Sequence, residues 1–230
     1  MNPPTPPTPP APPAPPAAPA RPARVQGSTP EKILDTAEAL FARRGFGSVG
    51  LREVARDVGL SKSAVFHHFP TKADLYHAVL VRILGGIAEG VLVESDARLG
   101  PLARLIRIFE RLVDALAESP NRAPLLLRTL FEDDVVDDGM IPEAEAMLES
   151  ILDRLRALID QGIGAGELRD VPSAHVLQSL LGGLLFHFAS GEFGEELIGE
   201  PTYSAAAIRR HKAFIVSFIE HGLAARPPER

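Results

Sequence analysis

The chain has 230 residues, of which 45% are hydrophobic, and a formal net charge of −6. It contains no cysteine, which excludes disulfide bridges, thiolate metal sites and cysteine nucleophiles. No apolar run approaches the ~20 residues that a membrane-spanning helix needs. The N-terminus is rich in proline and alanine, unlike the apolar core of a signal peptide. These features favour a cytoplasmic location without membrane association.

Charge is distributed unevenly along the chain. Up to Lys72 there are nine Lys and Arg residues against five Asp and Glu, a balance of +4; the remainder has 15 against 25, a balance of −10. A basic N-terminal third is suited to contact with phosphate groups. The acidic remainder is expected to face away from any nucleic acid.

Residues 1–27 are predicted to form a disordered tail, because they hold more than half of the 22 prolines, mixed with alanine and threonine. The PxxP spacings in this tail follow from its composition and do not favour a ligand for an SH3-like domain. Arg21 and Arg24 are either solvated linker charges or an arm that reaches into a neighbouring minor groove.

The first helix is predicted to begin at Thr29, as the N-cap, with Pro30 in the first helical position. Gly45 is expected to end it. Its apolar stripe has helical spacing and comprises Ile33, Leu34, Ala37, Leu40 and Phe41. Arg43 and Arg44 suit the negative end of the helix dipole and are also candidates for phosphate contact.

Two short helices joined by a tight turn are predicted between Leu51 and Phe69. Gly59 is placed to end the first in a left-handed conformation, and the Ser61 hydroxyl to cap the second, Lys62–His68. After Pro70, Thr71 and Asp74 form a capping box that opens a further helix. Helix, short glycine-containing turn and short helix is the helix-turn-helix pattern, whose second helix enters the DNA major groove.

The same stretch resembles the DNA-binding domain of TetR/AcrR-type transcriptional regulators. The features that carry the resemblance are Gly45-Phe46, Arg52-Glu53-Val54-Ala55, Val58-Gly59-Leu60-Ser61-Lys62, Val65-Phe66-His67-His68-Phe69 and Lys72-x-Asp74-Leu75. Two departures concern phosphate contacts: Val49 and Gly50 replace the usual Thr or Ser, and Phe66 replaces the usual Tyr. Beyond about Glu94 the resemblance is one of architecture only.

We predict a DNA-contact set on and beside the second helix of this motif. Val65 and Phe69, four residues apart, are expected to be buried, which turns the neighbouring positions outward. His67 and His68 are read as phosphate or packing residues; a metal site is the alternative, although adjacent histidines point in different directions on a helix. The predicted set is Arg52, Ser61, Lys62, Ser63, Ala64, Phe66, His67, His68 and Lys72.

The remaining pattern is helical, with no strand signal. A helix-turn-helix domain at 28–76, a connecting helix at 77–96 and a larger helical domain at 97–230 are predicted. Gly85 and Gly86 form a soft point in the connecting helix. The later helices are predicted at Pro101–Glu118, Arg122–Val136, Pro142–Gln161, Ala174–Ser190 and Thr202–Ala224. The resemblance implies that the last two pair with their copies in a second subunit to form a four-helix interface.

Candidate small-molecule and metal sites are weaker in the sequence. A pocket for an effector is hypothesised among Phe109, Leu126, Met147, Phe186 and His187, with a hydrogen-bonded core histidine as the alternative for His187. The carboxylates Asp133, Asp134, Asp137 and Asp138 are read as a solvated loop rather than a metal site, and neither a metal nor another cofactor is expected. No Gly-x-Ser-x-Gly, HExxH or P-loop motif is present, so nothing indicates an enzyme.

These observations predict an all-α, homodimeric, ligand-responsive transcriptional regulator, in this family most often a repressor, that binds a pseudo-palindromic operator in double-stranded DNA. The alternative is an effector-independent DNA-binding dimer that a protein partner controls through the proline-rich tail. A cavity among the pocket candidates would favour the first, and a solid core would favour the second.

Overall fold

The computed structural model describes residues 28–92, 98–131 and 142–225, and these ranges form ten α-helices and no named β-strand. The all-α prediction is therefore confirmed. The proline-rich tail, Arg21, Arg24 and the aspartate cluster at 133–138 lie outside the described residues. The helices are α1 (Thr29–Arg44), α2 (Leu51–Val58), α3 (Lys62–His68), α4 (Lys72–Leu92), α5 (Pro101–Ala117), α6 (Arg122–Phe131), α7 (Pro142–Gly164), α8 (Ser173–Ala189), α9 (Gly191–Ile198) and α10 (Ala205–Leu223).

The ends of the first four helices follow local capping chemistry. The predicted cap of α1 was one residue too late: Ser28 is the N-cap, and its backbone N–H donates to the Glu31 carboxylate at 2.6 Å. At α4 the predicted capping box is confirmed, since the N–H of Thr71 donates to Asp74 at 2.9 Å and the N–H of Asp74 donates to the Thr71 hydroxyl at 3.0 Å. The helix then continues through Gly85 and Gly86.

Helices α1 to α3 pack around a small core that α4 completes. Val54 of α2 and Val65 of α3 are fully buried. The rings of Phe41 and Tyr76 meet edge to face with centroids 4.9 Å apart, which joins α1 to α4. Consequently, α4 belongs to the core of the helix-turn-helix end and also runs into the larger helical part.

The larger part consists of helices that pack against α4 and against one another. Helix α4 packs against α5 and α7, α5 packs against α10, and α6 lies between α1 and α8. Several lengths differ from the sequence prediction. Gly162 does not end α7 but lies inside it, where an added Cβ would come within 2.6 Å of Leu168 Cδ1. This glycine therefore permits close packing.

Helix α9 was not predicted, and α10 begins three residues later than expected, with Ser204 as its N-cap. Helix α8 has both buried and exposed apolar side chains. Leu177, Leu180, Leu184 and Phe188 are buried, whereas Phe186 is 51% exposed. None of the described helices combines the length and apolar character that crossing a membrane requires.

Candidate nucleic-acid interface and apolar cavity

The turn between α2 and α3 is fixed by one glycine and one serine. Gly59 has φ 76° and ψ 31°, in the left-handed region that glycine enters without steric cost, and its N–H donates to the carbonyls of Ala55 and Arg56. Two residues on, the Ser61 hydroxyl accepts from the Ala64 N–H at 3.2 Å and caps α3. The predicted helix-turn-helix geometry is thus present.

Helix α3 divides into a buried and an outward side. Val65 is fully buried and Phe69 nearly so, on the side of a helix that packs against α2. The predicted DNA-contact residues of α3 lie on the outside: all are exposed except Ala64, which is half-buried. Lys62 Nζ lies 4.7 Å from the centre of the Phe66 ring, so a cation covers this apolar side chain.

Arg52 and Lys72 lie at the starts of the helices before and after α3. Arg52 is exposed in the first turn of α2. Lys72 is half-buried: its Nζ donates to the Phe46 carbonyl at 3.0 Å and lies 4.1 Å from the centre of the Phe46 ring. This arrangement holds the ammonium group at the start of α4. The structure thus places Lys72 beside the motif, with part of its hydrogen-bonding capacity already used.

Arg44 and the histidine pair have local partners that sequence reasoning did not foresee. Arg44 forms an ion pair with Glu53 and donates to the Ser48 carbonyl at 2.9 Å, so it ties α1 to α2. The rings of His67 and His68 are tilted, with centroids 5.4 Å apart. Within the described ranges, no group of three or more His, Cys, Asp or Glu side chains is arranged to hold a metal ion.

Helix α6 makes direct polar contacts with the helix-turn-helix end. Arg128 Nε donates to the Ala42 carbonyl at 2.9 Å, close to the end of α1, where carbonyl groups lack helical partners. The hydroxyl oxygens of Thr129 and Tyr76 lie 2.9 Å apart and connect α6 to α4. Hydrogen bonds therefore connect α6 to both α1 and α4.

A buried carboxylate forms a second connection. Glu38 of α1 is 4% exposed; it accepts from Arg82 Nη2 of α4 and from the Ser119 hydroxyl ahead of α6, each at 2.6 Å. Arg82 also binds Asp35 at 2.7 Å. The paired and hydrogen-bonded charge satisfies the requirement for burying a carboxylate and fixes α1 against α4.

The larger part encloses an apolar cavity of about 360 Å³. This volume lies within the range of ~300–1,000 Å³ found for small-molecule sites. Fourteen of the sixteen described residues that line it are Leu, Ile or Ala, and the other two are Thr129 and Glu145. The lining comprises Leu80, Leu84, Ile87, Leu112, Leu116, Leu126, Thr129, Leu130, Ala144, Glu145, Leu148, Ile151, Leu152, Leu181, Leu184 and Leu185.

The five predicted pocket residues do not form one site. Of them, only Leu126 lines the apolar cavity. Phe109 is fully buried in the core, and Met147 packs against that core. Phe186 and His187 line a separate surface depression between α8, α9 and α10. The spacing of apolar residues predicted that these helices have a buried interior, but it did not indicate where the helices separate to leave a cavity.

This depression is part of a face of exposed aromatic and aliphatic side chains, termed here the α8–α10 face. It comprises Phe186, Phe193, Leu197, Phe214 and Phe218. At its edge the rings of His187 and His211 are stacked, with centroids 3.5 Å apart and 3° between their planes. Burial lowers the pKa of His187, and burial with the proximity of His187 lowers the pKa of His211 to about 4.

Comparison with known proteins agrees with this geometry. Residues 33–79 match the model of the family described as bacterial regulatory proteins, tetR family. The HTH-type transcriptional activator FasR of Mycolicibacterium smegmatis (strain ATCC 700084 / mc(2)155) is 28% identical over 60% of this chain. The chain spans 63% of that relative's length.

Solved structures share the fold over most of the chain. The ketosteroid transcriptional regulator KstR2 of Mycobacterium tuberculosis has a TM-score of 0.73, with 17% identity over 90% of this chain and 100% of that one. The regulator FadR of Bacillus subtilis, solved with stearoyl-CoA, has a TM-score of 0.64, with 15% identity over 84% and 98%. At these identities the likeness shows the fold alone. With the family match and the helix-turn-helix geometry, residues 33–79 form a DNA-binding domain of the tetR family, and the chain as a whole has the fold of TetR-family transcriptional regulators.

Proposed function

We propose that this chain is a homodimeric repressor that binds a pseudo-palindromic operator through α3 and releases it when an apolar small molecule occupies the cavity. One observation carries the proposal. The cavity is walled by Leu80 and Leu84 of α4 and by Leu126 and Thr129 of α6. These two helices also contact α1 of the helix-turn-helix end.

The proposed DNA contacts are the nine residues predicted from the sequence. Ser63 and Phe66 lie on the outward side of α3, where base edges are reached, and Lys62, Arg52 and Lys72 supply positive charge around it. In a twofold dimer the two α3 helices would meet successive half-sites, separated by about one helical turn or more.

The proposed dimer forms through the α8–α10 face. Phe214 of α10 is 59% exposed, and Phe186 of α8 is half exposed, so a single chain leaves large aromatic groups in water. A second copy related by a twofold axis would cover them with the same residues. TetR-family regulators bind DNA operators and form dimers, which supports this assignment.

The proposed switch requires a ligand that binds two states of the protein unequally, because a ligand with equal affinity for both changes nothing. A molecule in the cavity presses on α6, and through Arg128 and Thr129 on α1 and α4. A solid core would have favoured control by a protein partner; a cavity of about 360 Å³ supports the ligand-responsive function. Two structural neighbours support an apolar ligand: FadR was solved with stearoyl-CoA, which has a long alkyl chain, and KstR2 is described as a ketosteroid regulator.

The proposal is tested by a mobility-shift titration on the DNA upstream of the chain's own coding sequence. We expect a shifted complex that decan-1-ol, a simple apolar molecule, dissociates. The matched control is Ala144→Leu, which fills the cavity from a position that is 2% exposed and lies in α7, a helix that carries none of the proposed DNA contacts. This variant should bind the DNA and no longer respond to decan-1-ol. Equal responses of both proteins would contradict an effect through the cavity.

A further inference from the structure

Two described residues in the wall of the apolar cavity carry polar side-chain groups, and both groups offer hydrogen-bond acceptors to a ligand. Thr129 is half-buried in α6, and Glu145 lies in the first turn of α7, at the exposed rim. All other described lining residues are Leu, Ile or Ala. The chemistry of a bound polar end is therefore set by one hydroxyl and one carboxylate.

The Thr129 hydroxyl has no proton left for a ligand. Its Oγ1 donates to the Leu125 carbonyl at 2.9 Å, one helical turn back in α6. Since a hydroxyl carries a single proton, the 2.9 Å bond between Thr129 and Tyr76 takes its proton from the tyrosine. Thr129 therefore offers the cavity only an oxygen lone pair.

Glu145 is likewise an acceptor when ionised. No Lys, Arg or His is among the described lining residues, so no described cation lies in the wall to pair with an anion. Among the described lining residues, the one charged side chain is therefore a carboxylate.

We infer that the effector is an apolar molecule whose polar end donates hydrogen bonds and carries no negative charge, such as an alcohol or an amine, and that free carboxylates are disfavoured. A carboxylate has only acceptors and would leave water for a wall of acceptors and hydrocarbon. An ammonium group or a hydroxyl group placed near Glu145 would find a partner. This inference rests on the proposed function, because it concerns the ligand of the same cavity.

The test compares three probes that share one alkyl chain: decan-1-ol, decylamine and decanoate. Each is titrated calorimetrically, at near-neutral pH and below its micellar concentration, into the full chain and into Ala144→Leu, so that binding outside the cavity is subtracted. We expect the alcohol and the amine to bind, and decanoate to bind at least about tenfold more weakly, because its charge loses hydration without compensation.

Glu145→Gln tests the charge of the rim. The amine should lose about three- to fivefold in affinity, the range of an exposed ion pair, while the alcohol stays within about twofold. Glu149→Gln is the matched control: Glu149 is exposed on the same helix but does not line the cavity, so this variant should leave all three affinities unchanged.

The outcomes separate the inference from the function beneath it. Cavity binding of decanoate as tight as that of decan-1-ol, or an amine affinity indifferent to Glu145→Gln, would overturn the inference and leave the ligand-responsive cavity in place. Absence of cavity binding by all three probes would overturn the proposed function and the inference together.

Discussion

The hydroxyl oxygens of Tyr76 and Thr129 lie 2.9 Å apart, and this single hydrogen bond joins α4 to α6 beside the apolar cavity. Tyr76 also packs its ring against Phe41 of α1. Arg128, the residue before Thr129, donates a hydrogen bond to the end of α1. The contact therefore lies between the cavity and the helix-turn-helix end, and in the proposed switch a movement of α6 would act on α4 through it.

Removing this hydroxyl should weaken the connection between α6 and α4. Thr129→Val keeps the shape of the side chain but leaves the Tyr76 hydroxyl without its partner on α6, so the free energy of unfolding should fall by about 1 kcal/mol. Urea unfolding measures it. Thr129→Ser, which keeps the oxygen, is the control and should lose less. If Ser proved the more damaging substitution, packing of the methyl group rather than the hydrogen bond would hold α6 in place.

Lys72→Ala tests the contact with the DNA backbone. If Lys72 binds a phosphate, the variant should weaken binding to all sequences alike and reduce the salt slope of log K by about 0.9 per copy. Because Nζ also bonds the Phe46 carbonyl, thermal unfolding must be measured in parallel. Lys212→Ala serves as a control, since Lys212 pairs with Asp114 at 2.6 Å in the larger part. An unchanged slope would leave Lys72 with a purely structural role.

Stability should depend on pH through His187 and His211. The lowered pKa of His211, about 4, means that the folded chain binds this proton less readily than the unfolded chain, in which the pKa is about 6.5. The contribution of the uncharged His211 ring to the free energy of unfolding is therefore complete above about pH 6.5, and it is lost as the pH falls toward about 4. The Nε2 atoms of both rings are buried without a hydrogen-bond partner among the described residues, as expected of neutral imidazoles in an apolar site.

Urea unfolding over this pH range, at fixed protein concentration, measures the effect. Glu200 and Arg210, which line the same depression, form an ion pair that is present in both proteins compared below. His211→Phe retains a stacked ring without a titrating group, so subtracting its pH profile isolates the contribution of His211. Parallel profiles for the two proteins would exclude that contribution.

The α8–α10 face predicts how the oligomeric state responds to charge. Phe214→Glu should raise the dimer dissociation constant by at least about a hundredfold, because two carboxylates would be buried without partners. Sedimentation velocity measures the shift. Phe131→Glu is the control, since Phe131 is 79% exposed on α6, outside this face. Dissociation by the control but not by Phe214→Glu would place the interface elsewhere.

The helix-turn-helix motif could be predicted from the sequence because its determinants are local. The end of α2 depends on the left-handed φ of Gly59 itself, and the start of α3 depends on a hydrogen bond from an N–H only three residues after Ser61. Similarly local signals located α4. Helix α9 was missed because Gly191 and Gly194 interrupt a short stretch that reads as a turn, although both lie within its helical range.

The cavity could not be predicted because it depends on the spacing between helices. Periodicity identifies Phe109 as interior, and the structure places it in the solid core. Whether an interior residue faces a neighbour or a void is decided by residues distant in sequence, such as Leu84 of α4 and Leu184 of α8, which meet at the same cavity. The α8–α10 face is similar: Phe186 has the sequence context of a core residue, and only the fold shows that it is half exposed.

The central claim is that two copies of α3, held by a twofold dimer, read one stretch of DNA. The most direct measurement is fluorescence anisotropy of the purified chain on a labelled duplex from upstream of its own coding sequence, with a scrambled duplex of equal length and composition as competitor, at several salt concentrations. We expect binding of one dimer per duplex, displaced far more readily by the unlabelled specific duplex than by the scrambled one, and weakened by salt. A monomer that ignores its own upstream DNA even at low salt would contradict the account.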